Sequence, residues 1–247
     1  ALAAATYLGN EQRRTDLFAS IEAVKRDFQE RPEFMVQMMA VDGANDKTLK
    51  TIQELMPASF PLSSFDLNLN DLRDEIRKID AVKDVSLQIR SGGVLQVDVI
   101  ERQPVALWRG PEGVEVIDEE GVRADKLDAR IERPDLPLIV GDGANKNVTQ
   151  ALELIAAAAP IRERVRGVVR VSNRRWDLVL DRDQRILLPE KDAVRALERV
   201  IALEQAKELL TRDVTVVDMR LADRPTIRMT QVARKELLRV RGYEAED

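Results

Sequence analysis

The 247-residue chain carries 44% hydrophobic but only 4% aromatic residues, so any core must be built mainly from aliphatic side chains. Charged residues are dense (34%) yet nearly balanced, with a formal net charge of -5, which lacks the basic excess of a nucleic-acid binder. With no cysteine and no histidine, thiol nucleophiles, disulfides, histidine general bases and most zinc, copper or haem sites are excluded, and no cofactor is implied.

The chain opens on an apolar run, Ala1 to Leu8, with Tyr7 at its polar end. Two readings are open: the first turns of an ordinary helix, or the trailing end of a transmembrane helix with Tyr7 at the interface. Leu17, Ile21, Val24 and Phe28 recur on one helical face and predict a stalk helix near 15–30, ended by Arg31-Pro32. Phe34 to Val41 is predicted as a strand closed by Asp42-Gly43. Asn45 or Asp46 then caps a helix with Leu49, Ile52, Leu55 and Met56 inward. After Pro57 and Pro61 a second helix presents Leu72, Ile76 and Ile79. Val85, Leu87 and Ile89 alternate as a strand, Ser91-Gly92-Gly93 turns, and Leu95, Val97 and Val99 return on one face with Gln96 and Asp98 on the other. The order β-α-α-β-β predicts a three-stranded sheet covered by two helices.

Pro104 cannot donate to a sheet ladder, so the first pairing must end there, and Val105 to Trp108 begins a second body with no room for a flexible linker. Val114 to Ile117 and Val122 flank Asp118-Glu119-Glu120-Gly121, an acidic cluster best explained as a hairpin turn. Leu136 to Val140 is a strand. Gly141-Asp142-Gly143 is a turn without the strand-turn-helix setting of a phosphate loop, and Asn147 with Gln150 forms a capping box for a helix to Ala159. Val168 to Leu180 reads as one long strand with Arg174, Arg175 and Trp176 at its middle. A shorter strand at Ile186 to Leu188 follows, then a helix from Asp192 to about Leu210, strands at Val214–Met219 and Thr226–Thr230, a short helix at Val232–Val240 and a frayed end from Arg241.

Carboxylate pairs such as Asp181 and Asp183 fall in turns, so catalysis has little support. Binding has more. A chain-terminal strand tends to lie at a sheet edge, where it can accept a strand from a partner. Arg220, Arg224 and Arg228 surround that strand. They are either recognition groups for an acidic partner or surface charges that keep the edge from aggregating. Arg174 lies in a strand that could neighbour this edge, and Trp176 is either core or a binding anchor.

Several motifs in order carry a resemblance. Glu101 to Trp108 (ERQPVALW), Ile117 to Gly121 (IDEEG), Trp176 to Leu180 (WDLVL) and Val217 to Arg220 (VDMR) resemble the joining segment, hairpin and two strands of the FtsQ family of bacterial cell-division proteins. The β-α-α-β-β unit resembles a POTRA domain, and Glu30 to Phe34 resembles alphaproteobacterial members. The resemblance implies an α+β chain. The end of a membrane anchor and stalk occupy 1–33, a POTRA domain 34–103, an FtsQ-type β domain on a largely antiparallel sheet 104–231, and a tail 232–247. It implies a non-catalytic scaffold, bitopic in the inner membrane with this chain in the periplasm at the division septum. FtsB, and with it FtsL, would add a strand at the C-terminal edge, and FtsK would contact the POTRA domain. By position the resemblance brings Arg220 and Arg174 to the partner surface, and the adjoining Trp176, Leu221, Asp223, Arg224, Thr226 and Arg228 complete the expected site. Leu221 stands where some members have an aromatic residue, and Arg224-Pro225 replaces smaller residues. Two alternatives come from other classes: a POTRA-bearing secretion or outer-membrane assembly component, which would show repeated units or a barrel, and a cell-wall enzyme, which would need a carboxylate pair or nucleophile in a cleft.

Overall fold

Two asparagine side chains start a helix each in the first half of the chain. In a computed structural model that describes residues 20, 22, 24–26, 28, 29, 31–56, 60–221 and 224–240, the chain divides into two compact units between Arg102 and Gln103. The described residues between 20 and 29 are helical, and the apolar start at 1–8 lies outside the described residues.

In the first unit, β1 (Met35–Val36) and β2 (Met38–Asp42) lead to α1 (Asp46–Leu55), β3 (Leu62–Ser63), α2 (Leu69–Ile76), β4 (Val82–Arg90) and β5 (Val94–Glu101). The Asn45 side chain accepts the N–H groups of Lys47 and Thr48, and Asn68 does the same for Asn70 and Asp71, satisfying donors that a helix start leaves open. The sheet order is β2-β5-β4, with β5 central, parallel to β2 and antiparallel to β4. Ile52 and Ile76 pack with Val85, Leu87, Leu95, Val97 and Val99. Leu55, expected inward, is 39% exposed: the buried stripe continues from Thr48 and Ile52 to Met56, four residues apart, and Leu55 lies at its margin. Gln96 points away from that core as expected. It is nevertheless buried on the central strand, where its amide donates to Asp42 (2.7 Å) and Asp98 (2.9 Å).

The second unit is built on a nine-stranded sheet. Its elements are β6 (Ala106–Gly110), β7 (Gly113–Ile117), β8 (Arg123–Leu127), β9 (Leu138–Val140), α3 (Val148–Ala157), β10 (Val165–Val171), β11 (Arg175–Leu180), β12 (Arg185–Leu187), α4 (Ala193–Lys207), β13 (Val214–Asp218), β14 (Thr226–Met229) and α5 (Gln231–Val240). The spatial order is β14-β13-β12-β11-β10-β9-β6-β7-β8. Pairings β6–β9, β9–β10 and β12–β13 are parallel and the rest antiparallel. Helices α3 and α4 bring Ala151, Leu154, Leu197 and Val200 into one core with Val168, Trp176, Leu178, Ile186 and Val217. A smaller core, including Leu107, Val116, Leu136 and Leu138, gathers at the β6–β9 end.

Two expectations need correction. Val168 to Leu180 is not one strand but a hairpin, because Ser172 and Asn173 both take positive φ (51°) and reverse the chain. The capping box does not form. Asn147 sits at the N-cap without a side-chain cap bond, and the Gln150 carbonyl instead accepts the Trp176 Nε1 proton (3.1 Å) and a proton of Arg170 Nη1 (2.8 Å), which a buried indole needs more than an exposed helix end does.

The acidic cluster is a turn as expected. The Asp118 carboxylate accepts the N–H groups of Glu120 (3.0 Å) and Val122 (2.9 Å), and Gly121 takes φ +76°. A Cβ on Gly121 would stand 2.0 Å from the Asn145 carbonyl oxygen, so backbone would have to move. Gly121→Ala is therefore expected to destabilise the second unit by about 2 kcal/mol or more. Both tryptophans of the chain, Trp108 and Trp176, lie in this unit, so denaturant unfolding followed by tryptophan fluorescence reads the effect there.

Candidate partner-binding edge

Strand β14 ends the sheet, pairing with β13 on one side through Val214↔Met229, Val216↔Arg228, Val217↔Ile227 and Asp218↔Thr226. Its backbone polarity follows from one bond. Thr230 N–H donates to Asp213 O (3.0 Å), so Thr230 faces β13. Along an antiparallel edge strand the N–H and C=O groups alternate in direction, so Arg228 and Thr226 also face β13, while those of Ile227 and Met229 point away from it. The bulge of this ladder lies in β13, between Val214 and Val216, and leaves the alternation of β14 intact. Thr226, Ile227 and Arg228 are exposed, Ile227 at 50%.

Two shallow hollows adjoin the edge. One, of about 330 Å³, is lined by Asp218, Arg220, Leu221, Arg224 and Thr226; the other, of about 220 Å³, by Val216, Asp218, Thr226, Ile227 and Arg228. Five of the expected site residues, Arg220, Leu221, Arg224, Thr226 and Arg228, therefore converge. Leu221 is 65% exposed, an apolar side chain held in water, and Asp223 lies outside the described residues.

Arg220 is already engaged. Its Nε donates to Asp218 Oδ1 (2.9 Å) and Oδ2 (3.0 Å), its Nη2 to Oδ2 (2.6 Å), and its backbone N–H to Oδ1 (3.0 Å). This fork holds the Asp218 carboxyl below its ordinary range. It also fixes the guanidinium beside the start of the turn to β14.

Trp176 and Arg174 sit elsewhere. Trp176 is 2% exposed, its ring in the core under the Arg170 guanidinium (5.0 Å), and it presents nothing to a partner. Arg174 lies in the β10–β11 turn, exposed, with β12 and β13 between its hairpin and β14. The register row Asp177↔Leu187, Leu187↔Asp218, Asp218↔Thr226 puts that turn at the same end of the sheet as the edge site, without making it a neighbour of β14. Asp181, one of the turn carboxylates, is bonded to Arg164 (Nε 3.0 Å, Nη2 2.9 Å), which lowers its pKa. Among the described residues no group of three potential metal ligands occurs, and no helix is long and apolar enough to cross a membrane.

Residue-type reading missed Ile227 and Asp177. Alternation through Thr226-Ile227-Arg228-Met229 was the available signal for the first, and the pairing of WDLVL with VDMR for the second. Asp177 is 4% exposed on the sheet face opposite the helices, with Arg175 Nε at 3.7 Å from its Oδ1 and neither atom in a hydrogen bond. Burial pushes its pKa up, opposed by Arg175, Arg185 and Arg220 and reinforced by Asp218. The sign is opposite to that of Asp218. A raised carboxyl costs stability at neutral pH, and the cost is relieved as pH falls through the folded pKa, complete below the ordinary aspartate value of about 3.9. Asp177→Asn is thus expected to stabilise the second unit at pH 7 by up to about 1 kcal/mol. The difference from the parent should shrink toward pH 4 in parallel denaturation series. A variant less stable than the parent at pH 7 would show that the attraction of the arginines outweighs burial.

Comparison with known proteins places this geometry in a family. Residues 106–220, from β6 to just beyond β13, match the family described as "Cell division protein FtsQ/DivIB, C-terminal". The chain is 50% identical over 231 residues to Cell division protein FtsQ of Roseobacter litoralis, covering 94% of this chain and 79% of that one. It is 44% identical over 243 residues to that of Cereibacter sphaeroides (98% and 79%) and 45% identical over 242 residues to that of Paracoccus denitrificans (98% and 71%). These relatives are alphaproteobacterial and carry the similarity through both units, so the chain belongs to the FtsQ family of cell division proteins.

Proposed function

We propose that this chain is a non-catalytic scaffold of the division septum that accepts a strand of FtsB at β14 and, through FtsB, engages FtsL. It would work in the periplasm, held to the inner membrane by an anchor, and would help recruit and regulate the septal cell-wall synthesis machinery. The first unit, with the β-α-α-β-β order of a POTRA domain, would serve recruitment, with FtsK as its partner. The observation that carries the reading is the edge itself: Ile227 and Met229 direct backbone donors and acceptors away from β13, next to a hollow lined by Arg220, Leu221 and Arg224. The secretion-type alternative is less well supported. Among the described residues one β-α-α-β-β unit is followed by an open sheet covered by helices, rather than by repeated units.

Magnitudes say what such a partner must bring. The two outward residues offer up to four backbone bonds at about 0.5–1.5 kcal/mol each, against an association cost of at least about 4 kcal/mol. The ladder alone leaves little or no net affinity. Apolar contact on Ile227 and Leu221 and acidic groups toward Arg224 and Arg228 must supply the rest.

Ile227→Pro separates the ladder from the fold, because the N–H it removes points away from β13. In calorimetric titration with the periplasmic part of FtsB, with and without FtsL, this variant is expected to lose at least tenfold in affinity while its thermal unfolding stays close to the parent's. Arg220→Glu is expected to weaken binding by less than about tenfold, since the side chain it replaces is exposed and already shared with Asp218. Unchanged binding by a folded Ile227→Pro chain would refute strand addition at β14.

A further inference from the structure

At the start of β10, the opposite end of that strand from the Arg174 turn, the second unit has a cleft of about 380 Å³. Its floor is apolar, formed by Leu136, Leu138, Ile155 and Val165. Its rim carries Arg130, Arg162 and Arg166. The β10–β11 register skips Arg166, between Val165 and Gly167, and the bulge turns the Arg166 carbonyl outward, where Arg130 Nη1 donates to it (2.9 Å). Arg130 is thereby held at the rim, half-buried.

The neighbouring arginines have different fates. Arg164 is committed to Asp181 and to the Gln184 amide oxygen (2.5 Å). Arg162 and Arg166, two residues to either side, are exposed, and among the described residues neither guanidinium is in an ion pair. Of the acids at the cleft, Asp135 is held bidentately by Arg133 (Nε 3.0 Å, Nη2 2.9 Å), leaving Glu163 as the counter-charge to three arginines. A cationic rim over an apolar floor, in a volume within the usual range of ligand sites, selects an anion joined to an apolar body.

We propose that this cleft binds an anionic amphiphile. Its phosphate headgroup would meet Arg130, Arg162 and Arg166, and its first carbons would lie on Leu136, Leu138 and Ile155. The proposal does not rest on strand addition at β14, which lies at the other end of the sheet. The shared chemistry is a phosphate, and three probes distinguish its sources when added to the full 247-residue chain and followed by amide NMR shifts. They are dihexanoyl phosphatidylglycerol below its micelle concentration, dihexanoyl phosphatidylcholine and inorganic phosphate. The glycerol lipid is expected to shift Leu138, Ile155 and Gly167 and to bind at least tenfold more tightly than either the choline lipid or phosphate. Arg162→Glu with Arg166→Glu, both at exposed positions, should reduce that affinity at least tenfold while leaving the rest of the spectrum in place. Equal binding of the two lipids, equal binding of phosphate alone, indifference to the double substitution, or no shift at these amides would each overturn the proposal.

Discussion

An open sheet has two edges, and each leaves a row of backbone donors and acceptors that must be answered by water, by protection or by another strand. In the second unit these are β8 and β14. Strand β8 carries three charged side chains in five residues, Arg123, Asp125 and Lys126, which disfavour pairing with another chain. β14 is guarded less. Arg228 and the preceding Pro225 limit indiscriminate pairing, but Ile227 lies half in water beside the hydrogen-bonding groups it directs outward. The fold thus guards one edge with charge and leaves the other with outward backbone groups beside an exposed apolar side chain.

The sheet face opposite α3 and α4 carries a row of charges to that edge. Asp177, Leu187, Asp218 and Thr226 form one row across it, and Arg175, Arg185 and Arg220 bear on the two carboxylates. The two acids are treated differently by their surroundings. Asp218 has a fork of bonds from Arg220 and is stabilised as a carboxylate. Asp177 is buried beside Arg175 without a bond to it and is disfavoured as one. Charges so arranged contribute little net stability, because burial offsets attraction. Their larger effect is on the charge pattern at the end of the sheet near β14.

Much of this was legible in the sequence where alternation and caps work locally. Leu95, Val97 and Val99 marked the central strand of the first sheet, Asn45 marked a helix start, and Asp118 to Gly121 marked a hairpin. The chain-terminal position of the last strand also pointed to a sheet edge, where β14 lies. What was not legible depended on distant partners. Ser172-Asn173 carries no glycine or proline, so the reversal between β10 and β11 was hidden inside an apolar run. Gln150 looked like a capping residue because the demand of a buried indole more than twenty positions away cannot be seen from a helix start. For the same reason Trp176 could be assigned neither to core nor to surface until α3 was placed over it.

Arg220 shows how local and distant requirements combine at the site. A lone exposed arginine would sample many rotamers, and fixing it on binding would cost entropy. The fork to Asp218 holds it in advance, and Asp218 also accepts the Arg220 backbone N–H, so the carboxylate orients both the side chain and the chain leaving β13. The next turn is closed by the Arg224 N–H on the Leu221 carbonyl (3.1 Å), which brings Pro225 and then Thr226 back against Asp218. The carboxylate therefore sits at the crossing of three features: the turn, the register of β14 and the position of the guanidinium. The direction of the edge and the charge beside it are thereby already set. Preorganisation of this kind favours discrimination between partners more than raw affinity.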